Sequence, residues 1–172
     1  MPSKVEPMAA TLSSLPPDED AWGFEIKWDG VRAIAYVEDD RRVRLTSRTL
    51  RDVTGTYPEV QAIGAALVGH RAVLDGEIVA FDDKGRPSFQ RLQARMNVTG
   101  AAAVEQLRGG TPVTFVVFDL LYVDGRSLLG LPYDQRRAEL ETLLQSDRAW
   151  QVPGYLRGQG SELLEASRAQ HL

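Results

Sequence analysis

The chain has 172 residues, 43% apolar and 26% charged, enough for one domain with its own core. It has no cysteine, which excludes disulfides, thiolate metal sites and thiol nucleophiles; its two histidines, His70 and His171, are far apart in sequence, which argues against a histidine metal site. A net charge of −4 does not suggest a general nucleic-acid binder, although a basic face can coexist with an acidic one.

No apolar run is long enough to span a bilayer, so no membrane role is expected. Residues 1–12 lack the apolar stretch of a signal peptide, so a cytoplasmic location is expected. Residues 1–21 are rich in proline, serine and acids and read as an extended lead-in; residues 22–172 read as the folded part.

From Trp22 the pattern changes. Trp22, Phe24 and Ile26 alternate with Gly23, Glu25 and Lys27, the period of a half-buried strand. Val31 to Val37 predicts a second strand, Asp39-Asp40 a turn, and Arg42 to Thr46 a third strand. Pro58 to Val68 predicts a helix with Val60, Ile63, Ala66 and Leu67 on one face. Ala72 to Phe81 predicts a strand carrying Asp75-Gly76-Glu77 in its middle. Asp83-Lys84-Gly85 is a turn signal, and Ser88 can cap a helix running to Met96.

Residues 99–111 predict a short helix and a loop. Val113 to Val123 is the most hydrophobic stretch and predicts a strand buried on both faces. Asp124-Gly125 signals a hairpin. Asp134 to Leu144 and Ser161 to His171 predict amphipathic helices. The order of elements predicts an α+β domain of antiparallel β-sheets flanked by helices.

Lysine occurs only at positions 4, 27 and 84, so Lys27 stands out. It closes the first strand just before Asp29-Gly30, where its side chain can project into a cleft. A neutral lysine amine there can attack phosphorus or carbonyl carbon. Taken alone, Lys-x-Asp-Gly also describes a surface lysine beside a turn. A mid-strand Asp-Gly-Glu is costly unless the carboxylates have partners or face a cleft. Asp119 raises the same question in Phe118-Asp119-Leu120-Leu121.

These segments, in order, resemble the motifs of covalent nucleotidyltransferases, and specifically of ATP-dependent DNA ligases. Lys27-Trp28-Asp29-Gly30 with Arg32 is similar to the nucleophile motif. Ser47-Arg48 with Thr54-Gly55-x-Tyr57-Pro58 is similar to the second. Leu74-Asp75-Gly76-Glu77 is similar to the third, and Phe118-Asp119-Leu120-Leu121 with Asp124-Gly125 to the fourth. Val5-Glu6-Pro7-Met8 and Pro132-Tyr133-x-x-Arg136-Arg137 extend the likeness. The wording is nearest to the bacterial ligases of double-strand-break end joining, the ligase D type.

The resemblance implies an adenylation domain with an ATP-grasp-like fold. It implies Lys27 as the nucleophile that forms lysyl-AMP, with Asp29 orienting it. It implies Phe118 stacking on adenine, Glu77 on the ribose hydroxyls, Arg32 on the sugar and Arg48 on a phosphate, with the backbone of Glu25 and Ile26 reading the adenine edge. ATP is the implied AMP donor, with Mg2+ or Mn2+. Nicked or broken duplex DNA is the implied partner, beside end-joining proteins at the bacterial nucleoid.

The family's Glu-Gly segment with a metal-binding carboxylate, its later lysine pair and its oligonucleotide-binding domain are expected beyond Leu172. Sheet edges left unpaired without them are expected to favour dimerisation. RNA ligases and mRNA-capping guanylyltransferases share the lysine motif. The Thr-Gly-x-Tyr-Pro extension and the Phe-Asp-Leu-Leu strand favour DNA ligase. A non-catalytic nucleotide-binding remnant is the alternative of another class.

Overall fold

The computed structural model describes residues 1–170, so His171, the predicted end of the last helix, lies outside the described residues. Strands form where apolar residues run or alternate. β2 (Val31–Val37) and β3 (Val43–Ser47) make an antiparallel hairpin around the predicted Asp39-Asp40 turn. β4 (Ala72–Ala80) pairs antiparallel with β2 on one side and with β5 (Val113–Val123) on the other. Asp124 and Gly125, at φ 44° and 90°, turn β5 into β6 (Arg126–Ser127), as a two-residue hairpin with two left-handed positions requires. The main sheet therefore runs β3-β2-β4-β5-β6.

β7 (Trp150–Gln151) departs from the antiparallel expectation by pairing parallel with β5 at Phe115 and Val116. Its connection from β6 passes through α4 (Tyr133–Leu143), the kind of crossover that parallel pairing needs.

Two other expectations are corrected. The strand predicted across residues 22–27 is reduced to β1 (Gly23–Phe24), paired with β8 (Leu156–Arg157). Alternation marks a face, but a ladder needs a neighbouring strand. Glu25 to Asp29 has none among the described residues, and the lysine segment is left outside the sheet.

The helix predicted over residues 58–68 is mostly a 3-10 turn (Pro58–Ala62) followed by one α-turn, α1 (Ile63–Ala66). Val60 and Ile63 are three apart and stack in that tighter winding, while Ala66 faces solvent. Ser88 caps α2 (Phe89–Gln93), its hydroxyl accepting from the Arg91 N–H at 3.3 Å. α3 (Ala101–Gly110) and α5 (Gly160–Gln170) fall where helices were predicted.

The sheet has two unlike faces. One carries Ala33, Leu45, Leu74, Ile78, Phe115, Val117 and Leu120 and packs against Val60, Ile63, Leu92, Leu140 and Trp150 in the main core. The other buries Ile34, Tyr36, Val73, Leu121 and Tyr122 under Met1 and Val5 of the lead-in. Val5 donates its N–H to the Tyr36 hydroxyl at 2.8 Å, so the start of the lead-in is tied down.

An ion pair that the sequence does not reveal closes the core edge. Arg95, fully buried, donates to both oxygens of Glu59 at 2.8 and 3.0 Å. Nη1 and Nη2 also reach the carbonyls of Thr111 (2.7 Å) and Thr56 (3.0 Å), while the buried Nε has no partner.

Candidate active site

Register brings the singled-out residues to one end of the sheet. Arg32 on β2 stands directly opposite Glu77 on β4, and Gly76 stands opposite Val117 on β5. Ser47 pairs with Ala33, which places Arg48 at the β3 side of the same row. The lysine segment leaves β2 at this end, four residues before Val31.

Gly30 explains the glycine of Lys-x-Asp-Gly. A Cβ there would lie 2.2 Å from the Ile78 carbonyl oxygen and 2.9 Å from Glu77 Cγ. Only glycine lets the segment lie flat on β4, close beside Glu77. Gly76 has a similar reason. A Cβ there would meet the Val116 carbonyl at 2.4 Å and the Phe115 ring at 2.5 Å.

The mid-strand carboxylates resolve in different ways. Asp75 is nearly buried and accepts both Arg32 Nε (2.5 Å) and Nη2 (2.7 Å). Burial pushes its carboxyl up, against the opposing pull of Arg32. Asp119 accepts Arg136 Nε (2.8 Å) and Nη2 (2.7 Å) from α4. Glu77 has no guanidinium partner of its own. Burial raises its pKa to about 7, while Arg32, the Gly30 N–H and the Lys27 ammonium pull it down.

That shift has a sign. A carboxyl whose folded pKa of about 7 exceeds its ordinary 4.5 binds more protons folded than unfolded between those values. Its contribution to stability is fully present below pH 4.5 and is lost as pH rises through 7. Glu77→Gln, which cannot ionise, is expected to flatten this part of the profile. Thermal melts at pH 5 and pH 7.5 check it; an equal loss of Tm between the two pH values in both proteins would contradict it.

Phe118 occupies a β-bulge. Asp75 pairs with Asp119 and Gly76 with Val117, so Phe118 is the extra residue, its ring half-exposed. Bulges re-aim side chains and recur beside active sites. The Arg32 guanidinium lies 4.6 Å from the centre of its ring. Arg32 therefore touches Asp75, Phe118 and the Glu77 row together.

Glu25 is half-buried and one of its carboxylate oxygens has no hydrogen-bond partner. Burial pushes its carboxyl up, opposed by the Tyr133 hydroxyl and the Arg137 charge. An orphaned buried acceptor beside Ile26 and Lys27 suits a donor from a ligand. Glu25, Ile26 and Lys27 line one wall of a cleft of about 220 Å³ whose other wall is α5.

The resemblance grouped Lys27, Glu77, Arg32 and Phe118; in the structure Arg32 pairs in register with Glu77 and lies over Phe118, and Lys27 precedes β2 at the same end. Asp29 is exposed, and no ion pair joins it to Lys27 among the described residues. Arg48 is exposed in the turn after β3. Among the described residues no three histidine or acidic side chains converge as a metal site, so they do not by themselves fit a divalent ion. No helix among them is long and apolar enough to cross a membrane.

The sequence singled out Tyr133, Arg136 and Arg137 as an extension of the likeness but assigned them no role. Arg137 shares its helix face with Leu140 and Leu144, at spacings of three and seven. A charged residue in such a buried stripe was the available signal.

A family model described as "ATP dependent DNA ligase domain" matches residues 4–170. The multifunctional non-homologous end joining protein LigD of Mycolicibacterium smegmatis is 41% identical over 168 residues, covering 97% of this chain and 20% of that protein. The LigD protein of Mycobacterium tuberculosis is 44% identical over 147 residues, covering 86% of this chain and 18% of that one. This chain thus spans about a fifth of the length of these relatives. A solved mycobacterial DNA ligase D complexed with ATP and MES superposes with a TM-score of 0.80 at 40% identity, covering 96% of this chain and 51% of that chain. The chain belongs to the ATP-dependent DNA ligase domain family.

Proposed function

We propose that this chain performs the adenylylation step of an ATP-dependent DNA ligase serving end joining. The observation that carries this reading is the meeting of Lys27, Arg32, Glu77 and the bulged Phe118 at one sheet end. Family membership and the likeness to an ATP-bound ligase support it.

In the first step the Lys27 amine, having given up a proton, forms a bond from Nζ to the α-phosphorus of ATP. The bond to the bridging oxygen breaks and pyrophosphate leaves. Phe118 offers a planar apolar face to adenine, with the Glu25–Ile26 segment at the base edge. Glu77 accepts from the ribose hydroxyls, and Arg32 and Arg48 face the sugar and a phosphate. Positioning and charge neutralisation supply most of the catalysis in such transfers. Magnesium or manganese, bound to the triphosphate, would offset its charge.

An oxygen of the 5′-phosphate at a nick in duplex DNA then bonds to the α-phosphorus as the Nζ–P bond breaks and frees Lys27; the 3′-hydroxyl oxygen, losing its proton to solvent, bonds to the 5′-phosphorus and AMP leaves. This reading places the protein in the cytoplasm, at the DNA. The test is the intact mass of the purified chain after incubation with ATP and magnesium. One added AMP supports the proposal. Reversible ATP binding without added mass would favour a non-catalytic nucleotide-binding role, and labelling by GTP in place of ATP a capping enzyme.

A further inference from the structure

The bulge at Phe118 is held from outside the sheet. Its carbonyl accepts two hydrogen bonds from α4, from the Tyr133 hydroxyl at 3.3 Å and from Arg137 Nη1 at 3.2 Å. The next residue, Asp119, is gripped by Arg136 of the same helix, whose Nη1 also holds the Leu131 carbonyl at 2.7 Å. Arg137 is fully buried; its Nη2 reaches Glu141 at 3.2 Å and the Pro153 carbonyl, and its Nε has no partner.

A bulge breaks the regular ladder, so the orientation of its extra residue is set by whatever holds its backbone. Here that is the first turn of α4. The same Tyr133 hydroxyl acts on the Glu25 carboxylate, holding its pKa down against burial. One phenol therefore sits between the strand that carries the ring and the segment that leads into Lys27. Its ring also packs edge-on against Tyr155 at 5.9 Å, which fixes where the hydroxyl points.

We propose that Tyr133 and Arg137 are positioning residues of the base pocket: they fix the bulge carbonyl, and through it the plane of Phe118 relative to Glu25. They touch neither the phosphates nor Lys27 and set the affinity for the base. This inference rests on the reading of Phe118 as the adenine platform.

Tyr133→Phe removes one oxygen and keeps the ring, so the fold is expected to survive, which a melting curve verifies. Two readouts follow. The first needs no nucleotide: hydrogen exchange of the Phe118 to Leu120 amides is expected to quicken about tenfold, the equivalent of one lost hydrogen bond. Exchange over Val113 to Val117 is expected to stay unchanged. The second compares competition by ATP with competition by inorganic tripolyphosphate, read against a fluorescent ATP analogue. ATP affinity is expected to fall about tenfold and that of tripolyphosphate to hold, whereas general loosening would weaken both.

Unchanged exchange at the bulge would overturn the proposal whatever the nucleotide data show. So would quickened exchange with unchanged ATP affinity. A native chain that binds no ATP would instead sink the proposed function, and the exchange result would still decide whether the phenol holds the bulge.

Discussion

Lys27→Ala is expected to carry no AMP under conditions that label the native chain, and Lys27→Arg is expected to fail equally. Alanine removes the nucleophile. Arginine keeps the charge and most of the reach, but its guanidinium stays protonated and offers no lone pair for phosphorus. The pair of variants therefore separates nucleophilic attack from electrostatic attraction of the triphosphate. If Lys27 only attracted phosphate, the arginine variant would retain label.

Neither change should unfold the protein. Lys27 is exposed and its segment pairs with no strand, so both variants are expected to melt within a few degrees of the native chain. Intact mass and melting temperature, read on the same samples, decide it. Label on either variant would move the nucleophile away from Lys27.

The sequence made the site more legible than the fold that presents it. Lys27 and Glu77 drew notice as a lysine beside Asp-Gly and an acid inside an apolar strand, and Phe118 only through the resemblance of its motif. The rule that such acids need a partner or a cleft held for two of the three. Asp75 found Arg32 and Asp119 found Arg136, while Glu77 stays half-buried with its pKa raised by burial.

Periodicity failed where pairing decides. Residues 22–27 alternate as a strand should, yet alternation carries no information about a neighbour. The segment from Pro58 to Val68 has helical composition, and the three-residue spacing of the buried Val60 and Ile63 suits the tighter winding. The bulge at Phe118 was invisible because it depends on the register of two distant strands and on arginines from a third element.

Buried arginines were the largest blind spot, and one of them carries the largest expected stability effect. Glu59→Ala is expected to destabilise the fold by about 3–5 kcal/mol, the usual cost of leaving a buried charge without its counter-ion. Arg95 would keep only the carbonyls of Thr111 and Thr56, and the Val113 N–H would lose the Glu59 oxygen it reaches at 3.3 Å. Water cannot compensate readily, since Arg95 has no exposed surface.

The pair itself need not be strongly stabilising, because two charges were taken out of water to make it. Replacing both partners, Glu59→Leu with Arg95→Met, is therefore expected to recover much of the loss, since no charge is then stranded. Urea melts of Glu59→Leu, Arg95→Met and the double variant close the cycle. A single-variant loss below about 1 kcal/mol would mean that the guanidinium finds another partner. A double variant no better than the single would mean that Arg95 acts through its carbonyl contacts, bracing the start of β5 and with it the strand that carries Phe118.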